Sequence, residues 1–284
     1  MKSIVRIALA GMLAALLLPA TTFAGPIFLT GHDPDFHSQG QPDAAEFFAT
    51  ALDYVMGGTL NDNTHKLLWV ESKLAANSGH LVGANGLVTI GLTAGIDYDV
   101  VNAAEFATAD LSQYTAIGVA STFGGMLTSA ELNALIARSG DIATFVNSGR
   151  GIFASAECNA AECGGADNLT VAHGAFYSFL PVVASSIANA DPYTLTAFGN
   201  AFGFTAAGKA YINECCTHNS FGLTGGLNII DFDSAGHPTT LAGVFTIDDG
   251  GFHEVPEPVT MSMLAAGLFG FGVRRRQQNR RLRG

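Results

Sequence analysis

The chain reads as an α/β protein, with a mostly parallel sheet, helices on both faces and a small antiparallel extension. Three observations predict this. Short apolar runs without polar alternation, clearest in Thr115 to Ala120, suit strands buried on both faces. Between them stand segments whose apolar residues recur every three or four positions, as one face of a helix does. The connections are short, so strand and helix units repeat in the manner of a covered parallel sheet.

Pro26 to Thr30 is a short apolar strand that runs into the polar loop Gly31-His32-Asp33-Pro34-Asp35-Phe36-His37. A helix follows from about Pro42, a residue suited to a first turn. Ala45, Phe48, Leu52, Val55 and Met56 give it an apolar face, and Gly57-Gly58 ends it. Lys66 to Glu71 is a second strand with Trp69 in it, Gly86 to Thr93 a short helix, and Tyr98 to Val101 a third strand.

After the Thr115–Ala120 strand, Thr128-Ser129-Ala130-Glu131 forms a capping box, with Thr128 as N-cap and Glu131 reaching back. Leu132, Leu135 and Ile136 form the buried face. Gly140 interrupts it, and Ile142, Phe145 and Val146 resume the pattern up to Gly149. Gly151-Ile152-Phe153-Ala154 is the next strand, ending in Ser155-Ala156-Glu157-Cys158. Tyr193 to Phe198 reads as a strand. Leu227 to Phe232 and Thr240 to Ile247, around Asp233-Ser234-Ala235-Gly236, read as a β-hairpin.

The buried strand, the capped helix with a break and the Gly-rich strand Gly149-Arg150-Gly151-Ile152-Phe153 together resemble the class I glutamine-amidotransferase-like superfamily. Proteins similar to the trehalose-utilisation type are among its members. The resemblance implies a flavodoxin-like sheet and a nucleophilic cysteine on the sharp turn after the Gly-rich strand. Ser155-Ala156-Glu157 occupies that turn here, and Cys158 comes later, in an acidic neighbourhood unsuited to a thiolate.

Both ends of the chain carry address signals. In residues 1–24, Lys2 and Arg6 precede the apolar run Ile7 to Leu18, and Thr22-Phe23-Ala24 is a small-x-small cleavage site. That is a secretory signal peptide for the Sec translocon and signal peptidase, leaving a chain that begins at Gly25. At the other end, Val255-Pro256-Glu257-Pro258 precedes an apolar run of 15 residues, Val259 to Val273, and then Arg274-Arg275-Arg276. As a helix the run is roughly 22 Å long, short of the roughly 30 Å hydrocarbon core, and the arginines favour the cytoplasmic side. The motif, apolar run and basic end, in this order, resemble the PEP-CTERM sorting signal of Gram-negative bacteria. That resemblance implies export, transient retention in the inner membrane by a short transmembrane segment, and processing by an exosortase near Pro256, Glu257 and Pro258. It further implies a cell-surface or extracellular destination, with an exopolysaccharide matrix as a partner.

Between the signals, Gly25–Glu254 is one exported α/β domain with five lysines and arginines against 23 aspartates and glutamates. A net charge near −18 repels nucleic acid and anionic membrane surfaces and suits cations and a solvated extracellular setting. The four cysteines, Cys158, Cys163, Cys215 and Cys216, all lie in this region. In an exported protein they read as disulfides. Bridges from the Cys158/Cys163 loop to the Cys215/Cys216 loop, a local Cys158–Cys163 bridge, and a zinc site are the alternatives.

Candidate site residues follow from the expected sheet. Ligands of open parallel sheets bind outside the carboxyl ends of the strands. His32, Asp33, Asp35 and His37 follow the first strand, Glu71 the second, Ser121 to Gly125 the central one and Glu157 the Gly-rich one. His218, beside the cysteine pair, joins them if a disulfide ties the two loops. This acidic, imidazole-bearing rim is a candidate binding site. Within it, His32, Asp33, Asp35 and His37 are candidate ligands of a divalent metal. The competing reading makes Asp33 and Asp35 turn and cap residues. No catalytic group is assigned. Asp231-Phe232-Asp233 resembles the start of a calcium loop but lacks the later bidentate Glu, so a hairpin turn is favoured. The functional readings are a binding or structural protein of the surface or matrix and, alternatively, a hydrolase-like enzyme on a glycan or small polar substrate.

Overall fold

The computed structural model describes residues 23–76, 81–122, 126–155, 177–180, 186–187, 190–214, 219–248 and 251–254. Five strands lie parallel: β1 (Gly25–Thr30), β2 (Leu67–Val70), β3 (Tyr98–Val101), β4 (Ala116–Val119) and β5 (Gly151–Ala154), in the spatial order β3-β2-β4-β5-β1. The four residues of β2, of β4 and of β5 are all buried, which requires cover on both faces of the sheet.

β2 to β5 reproduce the first four positions of a flavodoxin-like sheet, whose order is 2-1-3-4-5. The fifth position is filled by β1, the strand at the chain's start, paired through Ile27↔Ile152 and Phe28↔Phe153. The flavodoxin-like expectation, which puts the first strand inside the sheet, is corrected to that extent. One consequence is a switch point between neighbours β2 and β4: the chain leaves β2 for β3 on one side and β4 for β5 on the other.

The antiparallel part is no small extension. β10 (Pro238–Asp248), 11 residues long, pairs antiparallel with β1 from Gly25↔Phe245 to Thr30↔Thr240. β9 (Asn228–Phe232) pairs with β10, β7 (Thr194–Leu195) with β9, and β11 (Gly251–Glu254) with the far end of β10. The sheet is therefore mixed. The expected hairpin is present, and it continues the main sheet. β6 (Ser186–Ile187) and β8 (Ser220–Phe221) form a separate antiparallel pair.

Pro34–His37, expected as loop, is a one-turn helix, α1. Helix α2 (Pro42–Val55) starts on Pro42 and buries Ala44, Phe47, Phe48, Ala51, Leu52 and Val55. Phe48 meets Trp69 and Phe153 at ring distances of 5.8 and 5.4 Å, which places Trp69 in the core. Phe47 stacks on Phe204 at 4.9 Å, a contact that rotates the buried stripe from the expected one. α3 (Ala84–Thr89) and α4 (Ala103–Phe106) follow.

α5 (Ser129–Ala137) opens on the predicted capping box: Ala130 N–H donates to Thr128 Oγ1, and Glu131 accepts from Thr128 N–H at 3.2 Å. The break before α6 (Ser139–Val146) falls at Arg138 rather than Gly140. Where a strand was expected over Tyr193–Phe198, two residues of β7 are followed by α7 (Ala197–Ala201), capped by Thr196. α8 (Ala206–Glu214), without a sequence expectation, packs on α2.

Candidate functional site

The parallel register sets Thr30, Glu71, Ser121 and Ser155 along one edge, each just at or beyond the carboxyl end of its strand. α1 turns back over this edge because Gly31 and His32 leave β1 and Pro34 opens the helix. Its first residues thereby reach the switch point between β2 and β4.

There, Asp35 Oδ2 accepts hydrogen bonds from Ser121 N–H (2.9 Å) and Ser121 Oγ (3.0 Å). Glu71 Oε2 accepts from Trp69 Nε1 and Ala84 N–H, both at 2.9 Å, and Oε1 accepts from Gly83 N–H at 2.5 Å. Glu71 thus satisfies N–H groups at the start of α3, which would otherwise be orphaned. The two carboxylates meet at Gly83: a Cβ there would lie 2.6 Å from Asp35 Oδ2 and 3.3 Å from Glu71 Oε1. Asp35, Glu71 and Ser121 are all fully buried.

Burial raises both acids. Asp35 is pushed to about 6, against the lowering by Ser121 N–H and with a further push from the Asp33 charge. Glu71 is pushed to about 7 by burial, against the N–H donors of Ala84 and Gly83, and the Asp35 charge adds to the rise. Chemically this is a proton-holding pair near neutral pH.

The remaining rim residues point elsewhere. His32 Nε2 lies 3.1 Å from Asp231 Oδ2, which also accepts the Thr239 hydroxyl. The imidazole is ringed by Phe47, Tyr193 and Tyr211 at 5.4 to 5.8 Å, and its Nδ1 has no partner among the described residues. Asp33 Oδ1 pairs with His37 Nε2 at 3.2 Å across one turn. Burial opposes the charge on His37, but the carboxylates of Asp33, Asp35 and Asp43 outweigh it and raise the pKa. The structure brings Asp35 and Glu71 together, pairs Asp33 with His37, and turns His32 to Asp231. Among the described residues no group of three His, Cys, Asp or Glu side chains is placed to hold a metal ion. Glu157, His218, Cys158, Cys163, Cys215, Cys216 and the Pro256-Glu257-Pro258 motif lie outside the described residues.

Gly83 and Asp231 are the participants the sequence did not assign to the site; Ser121 was placed on this edge only as the start of the loop after the central strand. Asp231 had been read with a turn. It is instead a fully buried residue of β9, and Asp233 makes the turn, accepting His237 N–H at 2.7 Å. Only the alternation along β9, which puts Asp231 on the same face as Ile229, could have pointed to an inward carboxylate.

Comparison with family models gives one decisive finding. Residues 254–276 match the PEP-CTERM protein-sorting motif. The match starts at Glu254, the last residue of β11, so the sorting segment follows directly on the sheet. The PEP-CTERM motif marks an exported protein targeted by an exosortase and held transiently by its C-terminal segment. Among the described residues no helix is long and apolar enough to cross a membrane. The apolar run Val259–Val273 lies outside them. Neither the curated proteins nor the solved structures yield a match, so the amidotransferase resemblance of the middle region has no support from them.

Proposed function

We propose that Gly25–Glu254 is an exported domain of the cell surface or exopolymer matrix, with a binding or structural role and exopolysaccharide as its partner. The observation that carries this reading is the sorting motif placed directly behind β11. The strand-end chemistry supports it. Both Glu71 oxygens hold N–H groups, Asp35 Oδ2 holds Ser121, and His32 Nε2 holds Asp231. These side chains act as staples between loops. Deletion of Val255–Gly284 followed by fractionation tests the reading: the truncated protein should change compartment, and unchanged fractionation contradicts it.

A second reading is favoured by one observation, the pair of carboxyls with raised pKa at the switch point. It makes the domain a hydrolase-like enzyme on a glycan or small polar substrate, built on an amidotransferase-like scaffold with a divalent metal. Elemental analysis of the purified exported protein, together with glycan hydrolysis assays, separates the two. Stoichiometric metal with turnover supports the enzyme, and absence of both sinks it.

A further inference from the structure

A second polar feature lies on the opposite edge of the sheet, at the amino ends of β4 and β5. The turn Leu111–Gln113, the Arg138 junction between α5 and α6, the end of α6 and Arg150 line an open surface pocket of about 300 Å³. That is the lower end of the range for small-ligand sites. The exported domain has five lysines and arginines, and two of them, Arg138 and Arg150, line this one pocket.

Both guanidiniums are held in place. Arg138 directs Nε to Asp141 (2.8 Å) and Nη1 to the carbonyls of Phe106 and Ala109 (2.6 and 3.0 Å), with its plane over the Phe106 ring at 5.3 Å. Arg150 donates Nη2 to the Ser112 carbonyl at 3.1 Å and lies over Phe145 at 5.4 Å. Each keeps donors without acceptors among the described residues: Nη2 of Arg138, and Nε and Nη1 of Arg150. A guanidinium carries five N–H donors in a fixed fork. Acceptors stand beside them: Asp141, 59 % exposed, and Asp110. Leu111 and Phe145 supply the apolar part of the wall.

We propose that this pocket binds a neutral, hydroxyl-rich ligand of the class of a hexosyl unit in an exopolymer. The charge count decides against an anion. Two carboxylates balance two guanidiniums in the pocket, and the domain around it carries a net charge near −18, so a polyanion is repelled. Sugar hydroxyls both donate and accept, and they match fixed donors alternating with carboxylates, while an apolar wall suits the ring's C–H face. The choice of a glycan rests on the matrix reading above. The placement of the pocket and its charge balance do not.

The test uses the exported, processed protein in native affinity electrophoresis, with dextran or a neutral galactomannan in the gel and alginate in a parallel gel. Wild type should be retarded by a neutral polymer and not by alginate. Arg150→Ala should weaken the neutral-polymer affinity at least tenfold. Thr144→Trp, an exposed position on the pocket wall, should block it to the same extent, and it serves if Arg150→Ala unfolds. No retardation by either neutral polymer, stronger retardation by alginate, or wild-type retardation of both variants overturns the proposal. Sorting is read separately by fractionation, so loss of glycan binding with normal sorting refutes this site alone.

Discussion

The Asp35 carboxylate takes both the backbone N–H and the hydroxyl of Ser121, 86 residues along the chain, on a single oxygen, Oδ2. The other oxygen, Oδ1, has no partner among the described residues. One side chain thus ties the loop after β1 to the loop after β4 across the switch point, and it leaves room for an amide in place of the second oxygen.

Asp35→Asn should therefore fold, and it should change how stability depends on pH. The folded pKa of Asp35, about 6, lies above its ordinary value of 3.8, so the native state binds the extra proton. Its contribution is fully present below about 4 and is lost as pH rises through about 6. Asparagine does not titrate. Relative to wild type, the variant should gain on the order of 3 kcal/mol between pH 4 and pH 8. Urea unfolding at both pH values measures this, and a pH-independent difference contradicts it. Glu71→Gln should instead destabilise, because both Glu71 oxygens accept N–H groups and an amide NH2 would confront one of them. That loss should narrow as pH rises through the raised Glu71 pKa of about 7.

Gly83 has φ −60 and ψ −35, a backbone any residue adopts, so its need for glycine is purely steric. Gly83→Ala drives a methyl to within 2.6 Å of Asp35 Oδ2 and should cost about 1–3 kcal/mol. Adding Asp35→Ala removes the clash, so the double variant should lose less than the sum of the two singles. Additive losses in a double-mutant cycle would show that Asp35 does not meet Gly83.

The buried His32–Asp231 pair joins the end of β1 to β9, two strands away in the sheet. Asp231→Leu leaves an unpaired imidazole among aromatic rings and should cost about 3 kcal/mol or more. His32→Leu in the same chain should recover at least about 1 kcal/mol, because the imidazole is then no longer stranded, although the Thr239 hydroxyl still lacks the partner it lost with Asp231. Chemical denaturation of the three variants gives the coupling, and a coupling near zero rules out the pair as a stabilising contact.

Much of the parallel sheet was legible because its strands are local patterns. Leu67–Val70 and Ala116–Val119 are short apolar runs bounded by polar turns, and Thr128–Glu131 is a cap written in four residues. Strand order was not, because pairing is long-range: Thr30 meets Thr240 through side-chain hydroxyls 210 residues apart, and no local pattern places β1 beside β5. The four-residue helix Pro34–His37 is too short to show a period. At the site, Asp35 and Glu71 were visible as acids after strands, but their meeting point, Gly83, and the partner of His32, Asp231, depend on the folded arrangement. The sorting signal was legible throughout because it is linear.

The central claim is that this chain is exported and then processed at its C-terminal signal. Intact-mass and terminal-peptide analysis of the protein recovered outside the inner membrane tests it most directly. The recovered chain should begin at Gly25 and end near Pro256-Glu257-Pro258, without Arg274-Arg275-Arg276. A recovered chain that still carries Gly284 would contradict it.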